Sequence, residues 1–458
     1  MPTPQTGGAG CGPSSNRTAP ERSEPDILRT LQSVTIAAQH DPAGSPLVVR
    51  TTEVADPGAL LALLPESDPL AWVRHGDGLA GWGVAASCRP TGPDRFAVAE
   101  QWWSDVVASA VVRDELELPG SGLVAFGSFA FADDPGDSLL VVPRVVVGRR
   151  REGGRLRTWV TVVGAGQLPS AEEPAPALPP APPQGLRYAD GALSGAQWAA
   201  AVEDAVRRIG EGQLEKVVLA RDLLAQADST IDARWPLRRL ADAYPGCWTY
   251  CVDGLVGATP ELLVRRERGL VTSRVLAGTI RRTGDDQHDL ALAGALARSS
   301  KDLEEHEYAV RSVAEALAPH CSSMFVPEAP FVLHLPNVMH LATDVTGVLA
   351  DESTSLDLAA ALHPSAAVCG TPTAAAAQLI DELEGMDRDR YAGPVGWIDA
   401  QGDGEWGIAL RCARLDPADR RQLRLFAGCG IVAGSDPQAE LGESDAKLVP
   451  MREALADD

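Results

Sequence analysis

The stretch 394-PVGWIDAQGDGEWGIALRCARL-415 decides the fold class. Gly402, Asp403 and Gly404 separate two apolar-rich segments, and such residues accept the backbone angles of a tight turn. The stretch therefore predicts an antiparallel hairpin around residues 402–404. Working outward, GLVAFGSFAF (122–131), SLLVVPRVVVGRR (138–150), RLRTWVTVVGAG (155–166) and LEKVVLARDLLA (214–225) also read as strands. Helices lie between them. Ser194 with Gln197 forms a capping box that opens SGAQWAAAVEDAVRRIGEGQ, whose Trp198, Val202, Val206 and Ile209 share one face. DLALAGALARSSKDLEEHEYAVRSVAEALA (289–318) reads as long amphipathic helices. The class is α+β with large antiparallel sheet content.

Two segments punctuate the chain. Residues 1–25 are rich in Pro, Gly and Ser without apolar periodicity, which predicts a disordered tail. GQLPSAEEPAPALPPAPPQGL (166–186) carries too many prolines for helix or central strand and predicts a surface loop. Length alone allows two or three domains among 458 residues. Lys and Arg total 40 against 63 Asp and Glu, a net charge of −23, which argues against nucleic acid or an anionic membrane as partner. No apolar run approaches the roughly 20 residues of a membrane span, and the N-terminus lacks a signal-peptide core, so a cytoplasmic location is expected. The eight cysteines are scattered, without zinc-site spacing, and read as reduced thiols.

The chemistry concentrates after the proline-rich segment. In SSKDLEEHEYAV (299–310), helical spacing places Asp302 with Glu305 on one face and Glu304 with Glu307 on another. Glu440 and Glu443, in PQAELGESDAK, repeat the three-residue spacing. Two such helices facing one another would offer hard oxygen ligands to Mg²⁺; alone, each is equally a solvated helix face. Strand alternation puts Lys216 with Val218 and Ala220, where desolvation would make the amine a base, unless the side chain reaches water from a strand end. Glu261, after Pro260 and before LLV, is either a sheltered acid or a turn residue. GCGIVA (428–433) imitates a dinucleotide fingerprint, but 434-GSDP-437 interrupts the helix that would have to come next. Its glycines can still offer backbone N–H groups to an anion.

Taken together, EKVVLAR, GATPELLV, SRVLAGTIRR, SSKDLEEHEYAV, VMHLATDVTG, LHPSAAVCGTP, YAGPVGWIDAQGDGEWGIALRCA and FAGCGIVAGSDPQAELGESDAKL resemble, in content and order, the chorismate-utilising enzymes and among them the isochorismate synthases. The resemblance spans the C-terminal half, 187–458; the first half, 26–165, is compatible with the family's more variable portion. It implies one large α+β domain over 26–458, with two stacked, mainly antiparallel sheets and helices outside. It also implies roles. Glu305 and Glu443 match the magnesium ligands, with Glu440 and Asp302 as supports. Arg411 and Lys447 match residues that hold substrate carboxylates, helped by backbone near Gly428 and by Gly278 and Thr279. His340 matches a pocket histidine, and Tyr391 is grouped with the substrate-binding residues. Lys216 matches the general base and Glu261 the general acid, so Lys216 has to be neutral and Glu261 protonated near neutral pH.

Within the family, anthranilate synthases usually carry glutamine at the position of Lys216, and aminodeoxychorismate synthases carry a nucleophilic lysine at that of Ala277. Lys216 with Ala277 implies water as nucleophile, chorismate as the small-molecule substrate, and no glutamine amidotransferase subunit. Salicylate synthases, which go on to eliminate pyruvate, are the alternative; they tend to carry threonine near Val368. A catalytically silent binding homologue would have lost Lys216, Glu261, Glu305 or Glu443, and all four are present.

Overall fold

A computed structural model describes residues 45–168 and 174–457. The tail expected over 1–25 lies outside the described residues, as do 169–173 of the proline-rich segment; the remainder of that segment, 174–186, contains no helix or strand.

Among the described residues, the strands form one sheet of 13 and another of 10, almost entirely antiparallel. The larger sheet runs from Val111–Arg113 through Leu47–Glu53, Arg155–Ala165, Val145–Glu152, Asp77–Trp82 and Leu70–Arg74. It continues through Trp248–Val252, Leu255–Thr259, Cys412–Leu415, Gln422–Ile431 and Lys216–Gln226 to Arg187–Asp190. First-half and second-half strands meet where Trp72 lies opposite Tyr250. The smaller sheet joins the halves again, with Phe126 opposite Trp397. Helices Gly195–Gly210, Ser300–Leu317, Ser355–Leu362, Thr373–Glu384 and Pro437–Leu455 pack against these sheets. Among the described residues no helix is long and apolar enough to cross a membrane.

The hairpin forms as its turn residues require, with Pro394–Asp399 paired to Gly404–Ile408 in the smaller sheet. Beyond Ile408 the chain changes sheets, passing through 409–411 and entering the larger one as Cys412–Leu415. Its neighbour does the reverse: Leu255–Thr259 leaves the larger sheet, and after Pro260 and Glu261 the chain enters the smaller one as Leu262–Glu267. The two crossings are tied by Ile408 N–H donating to Glu261 C=O at 3.2 Å and Ala258 N–H to Arg411 C=O at 3.3 Å. Across the gap between sheets, Trp72 and Trp248 donate their indole N–H groups to Glu405, at 2.7 and 3.1 Å, so the polar ends of two buried rings are satisfied by one carboxylate.

The structure adds detail to two readings. The apolar periodicity of 289–318 is not one helix: Asp286–Leu296 ends, and Ser300–Leu317 begins with Ser299 accepting the Asp302 N–H. A serine hydroxyl that caps a new first turn outcompetes continuation through two consecutive serines. GCGIVA is strand as far as Ile431, and Asp436 caps the helix Pro437–Leu455 beyond it. The Ser194–Gln197 capping box is present, and Trp198, Val202 and Ile209 are buried behind it.

Gly396 reports on the tightness of the hairpin. A Cβ built there would lie 1.9 Å from the Glu405 carbonyl oxygen, so backbone would have to move. Gly396→Ala should destabilise the chain by about 1–3 kcal/mol, read as a lowered midpoint in thermal unfolding; an unchanged midpoint would show that the strands can part freely.

Candidate active site

A cavity of about 260 Å³ opens where the two sheet crossings meet, and its walls come from both sheets and from two helices. Lys216, at the start of the strand Lys216–Gln226, lines it with Val218, on the face that alternation assigns. Glu261 and Arg411 reach it from the two crossings. Gly278, Thr279, His340, Tyr391, Gly428 and Lys447 also line it, as do Asp302 from one helix and Glu440 and Glu443 from another. Glu305 stands three residues after Asp302 on the same helix, but its side chain lies outside the described residues. Glu304 and Glu307, on the other face, are exposed.

Local structure explains these placements. Gly278 has φ +78° and marks a register shift in the pairing of Leu270–Arg281 with Val338–Leu349. Such a bulge re-aims the side chains beyond it; the left-handed φ favours glycine, and an added Cβ would also crowd the Asp302 Cβ at 3.1 Å. Thr279 Oγ1 then lies 2.9 Å from His340 Nδ1, which holds the imidazole. Among the described residues the other ring nitrogen, Nε2, is buried without a hydrogen-bond partner, and so has a bond to offer a ligand in the cavity. His306, within the same acidic stretch, is buried: Nδ1 lies 3.2 Å from Ala277 O and Nε2 2.8 Å from Thr343 Oγ1, pinning the acidic helix to the smaller sheet. Arg221 performs the matching task for the other helix, donating to Ser444 and Asp445.

The electrostatics separate the carboxylates. Burial pushes the Glu261 carboxyl up to about 8 against the opposing pull of Lys216, so it is mostly protonated at neutral pH. Glu443 moves the other way: burial raises it, but the Lys447 ammonium, 2.7 Å from Oε1, outweighs that and holds it below the usual range. Lys447 also donates to Gly428 C=O at 2.8 Å. Arg411 is held in a left-handed backbone conformation, φ 49°, and among the described residues its guanidinium forms no ion pair. That leaves its N–H fork available to an anion in the cavity.

The donor set bears on metal binding. Ligand atoms of Cys429, Glu440 and Glu443 lie within 4.8 Å of one another, and Asp302 lines the same cavity. Burial pushes the Cys429 thiol up to about 12, which leaves it protonated and a poor ligand. The carboxylates remain, and carboxylate oxygens suit a small hard cation. The residues present fit magnesium.

Residues 46–456 match the family described as chorismate binding enzyme. The chain belongs to this family. Among its chorismate-binding relatives, the salicylate biosynthesis isochorismate synthase of Pseudomonas aeruginosa is 36% identical over 412 residues, covering 84% of each chain. The isochorismate synthase DhbC of Bacillus subtilis is 42% identical over 269 residues, 56% of this chain and 67% of its own. Among solved structures, the menaquinone-specific isochorismate synthase MenF of Escherichia coli superposes with a TM-score of 0.71 at 25% identity, over 90% of this chain and 96% of its own. Within the chorismate-binding enzymes, the chain thus groups with isochorismate synthases.

Burial, with Arg411 and Lys447 nearby, pushes the His340 imidazole down to about 3. Its NMR resonances should therefore show no titration between about pH 5 and 8; a midpoint within that range would place a charged histidine in the pocket.

Proposed function

We propose that the protein is a magnesium-dependent isochorismate synthase in which Lys216 activates water and Glu261 assists departure of a hydroxyl. The observation that carries this reading is the pairing of an amine and a carboxyl held protonated by burial, Lys216 and Glu261, on the walls of one cavity. Conversion of chorismate to isochorismate adds water at C2 and expels the C4 hydroxyl as water while the ring double bonds shift. One group must take a proton and another must give one. Lys216 takes it from the attacking water; Glu261 gives it to the departing oxygen. Both return to their starting states by exchange with solvent.

Substrate is held by complementary charge. Arg411, with no internal ion pair among the described residues, receives one carboxylate; His340 Nε2 and Lys447 lie on the same walls. Glu443, Glu440, Asp302 and Glu305 would hold the magnesium ion, which supplies positive charge against the ring carboxylate. Ala277 leaves no amine in its place to attack the ring, which supports water as nucleophile.

Incubation with chorismate and Mg²⁺ should yield isochorismate as the sole chromatographic product. Salicylate with pyruvate would identify a salicylate synthase, and unchanged chorismate would refute catalysis. Lys216→Ala and Glu261→Gln should each lower kcat by roughly 10²- to 10⁴-fold with the fold intact by circular dichroism; wild-type turnover in either removes that residue from the mechanism. Because the acid must be protonated, kcat/KM should fall as pH rises through about 8, and a profile flat across that range would refute Glu261 as the donor. Chelation with EDTA should abolish turnover and added Mg²⁺ restore it; turnover unaffected by EDTA removes the metal.

A further inference from the structure

Glu384, the last residue of the helix Thr373–Glu384, and Arg388 form an ion pair buried to 1% and 2% side-chain exposure beneath the cavity. Removing two charges from water carries a desolvation cost that a hydrophobic pair of the same volume would avoid. The position of its hydrogen bonds shows what the pair does. The outer edge of the strand Lys216–Gln226 is covered by Gly370–Thr371 at one end, opposite Lys216 and Val217, and by Arg187–Asp190 at the other, from Leu223 onward. Between them no strand among the described residues pairs with that edge. In that gap Arg388 donates to Val218 C=O at 2.7 Å, Glu384 accepts the Ala220 N–H at 2.6 Å, and the Trp198 indole donates to Ala220 C=O at 3.0 Å. The ion pair thus supplies the hydrogen bonds of a missing strand, two and four residues beyond Lys216.

The same guanidinium donates to Val368 C=O at 2.9 Å, and Val368 forms another wall of the cavity. With its two bonds to Glu384, Arg388 spends four of its five N–H groups inside the protein. It faces the cavity with little left to offer a substrate, in contrast to Arg411. We infer that Glu384 and Arg388 are a positioning pair that locks the Lys216 strand against the Val368 wall, fixing the distance between the amine and the ring it serves. The inference rests on the reading of Lys216 as the base.

Arg388→Ala removes the bridge, and the misplaced amine should cost roughly a hundredfold in kcat, while KM for chorismate changes by less than about threefold because Arg411 and the other ligands remain. Guanidinium ion at low millimolar concentration, which can refill the vacated site, should restore part of the lost kcat without raising the thermal midpoint to that of wild type. A buried charge left unpaired can prevent folding, so Glu384→Gln is the second variant. It keeps an oxygen for Ala220 but gives up one acceptor for the guanidinium, and should show the same split between kcat and KM at smaller amplitude. Full wild-type kcat in either folded variant, measured below its thermal midpoint, overturns the inference and leaves the pair a stability device. A wild-type chain that leaves chorismate unchanged overturns the reading of Lys216 and this inference with it.

Discussion

Two neighbouring strands that change sheets side by side govern this molecule. A strand within a sheet has its backbone bonded on both sides, and its side chains point either into a packed core or toward a covering layer. A chain passing from one sheet to the other is released from both constraints for a few residues. Here the two passages are held together by the bonds between Ile408 and Glu261 and between Ala258 and Arg411. They place a carboxyl and a guanidinium beside the same cavity.

Burial at that junction acts on two carboxyls with opposite chemical results. At Glu261 desolvation outweighs the pull of Lys216, Arg411 and Lys447, so it holds its proton. Glu443 has Lys447 in contact and stays ionised. The cavity therefore contains a neutral carboxyl on the sheet side and an ionised one on the helix side, a division that suits proton donation at one end and cation binding at the other. In a chain with a net charge of −23, Arg411 and Lys447 are local positive charges on the cavity wall.

Much of the fold was legible. The turn at 402–404, the Ser194–Gln197 capping box and the alternation about Lys216 are local patterns, each set by neighbours within a few positions, and the structure contains all three. Spacing separated the face of Glu304 and Glu307 from that of Asp302, but only the structure shows that Glu304 and Glu307 are exposed. The break at Ser299 was not legible, since apolar periodicity runs past a cap that only the geometry of the turn reveals. His306, Glu384 and Arg388 were hidden for another reason. Charged and polar residues are usually exposed, and the four-residue spacing of Glu384 and Arg388 reads as an ordinary surface pair until the partners Val218, Ala220 and Val368 are in place.

The sequence by itself determined the α+β class, the residue types able to move protons and hold a cation, and the helical faces that carry them. Tertiary structure alone decided which of those residues share a cavity, and which carboxyl keeps its proton. The physical reason is range: turns, caps and alternation depend on groups a few bonds apart, whereas desolvation and charge pairing depend on neighbours far away in the chain, which exist only once both sheets have closed over the site.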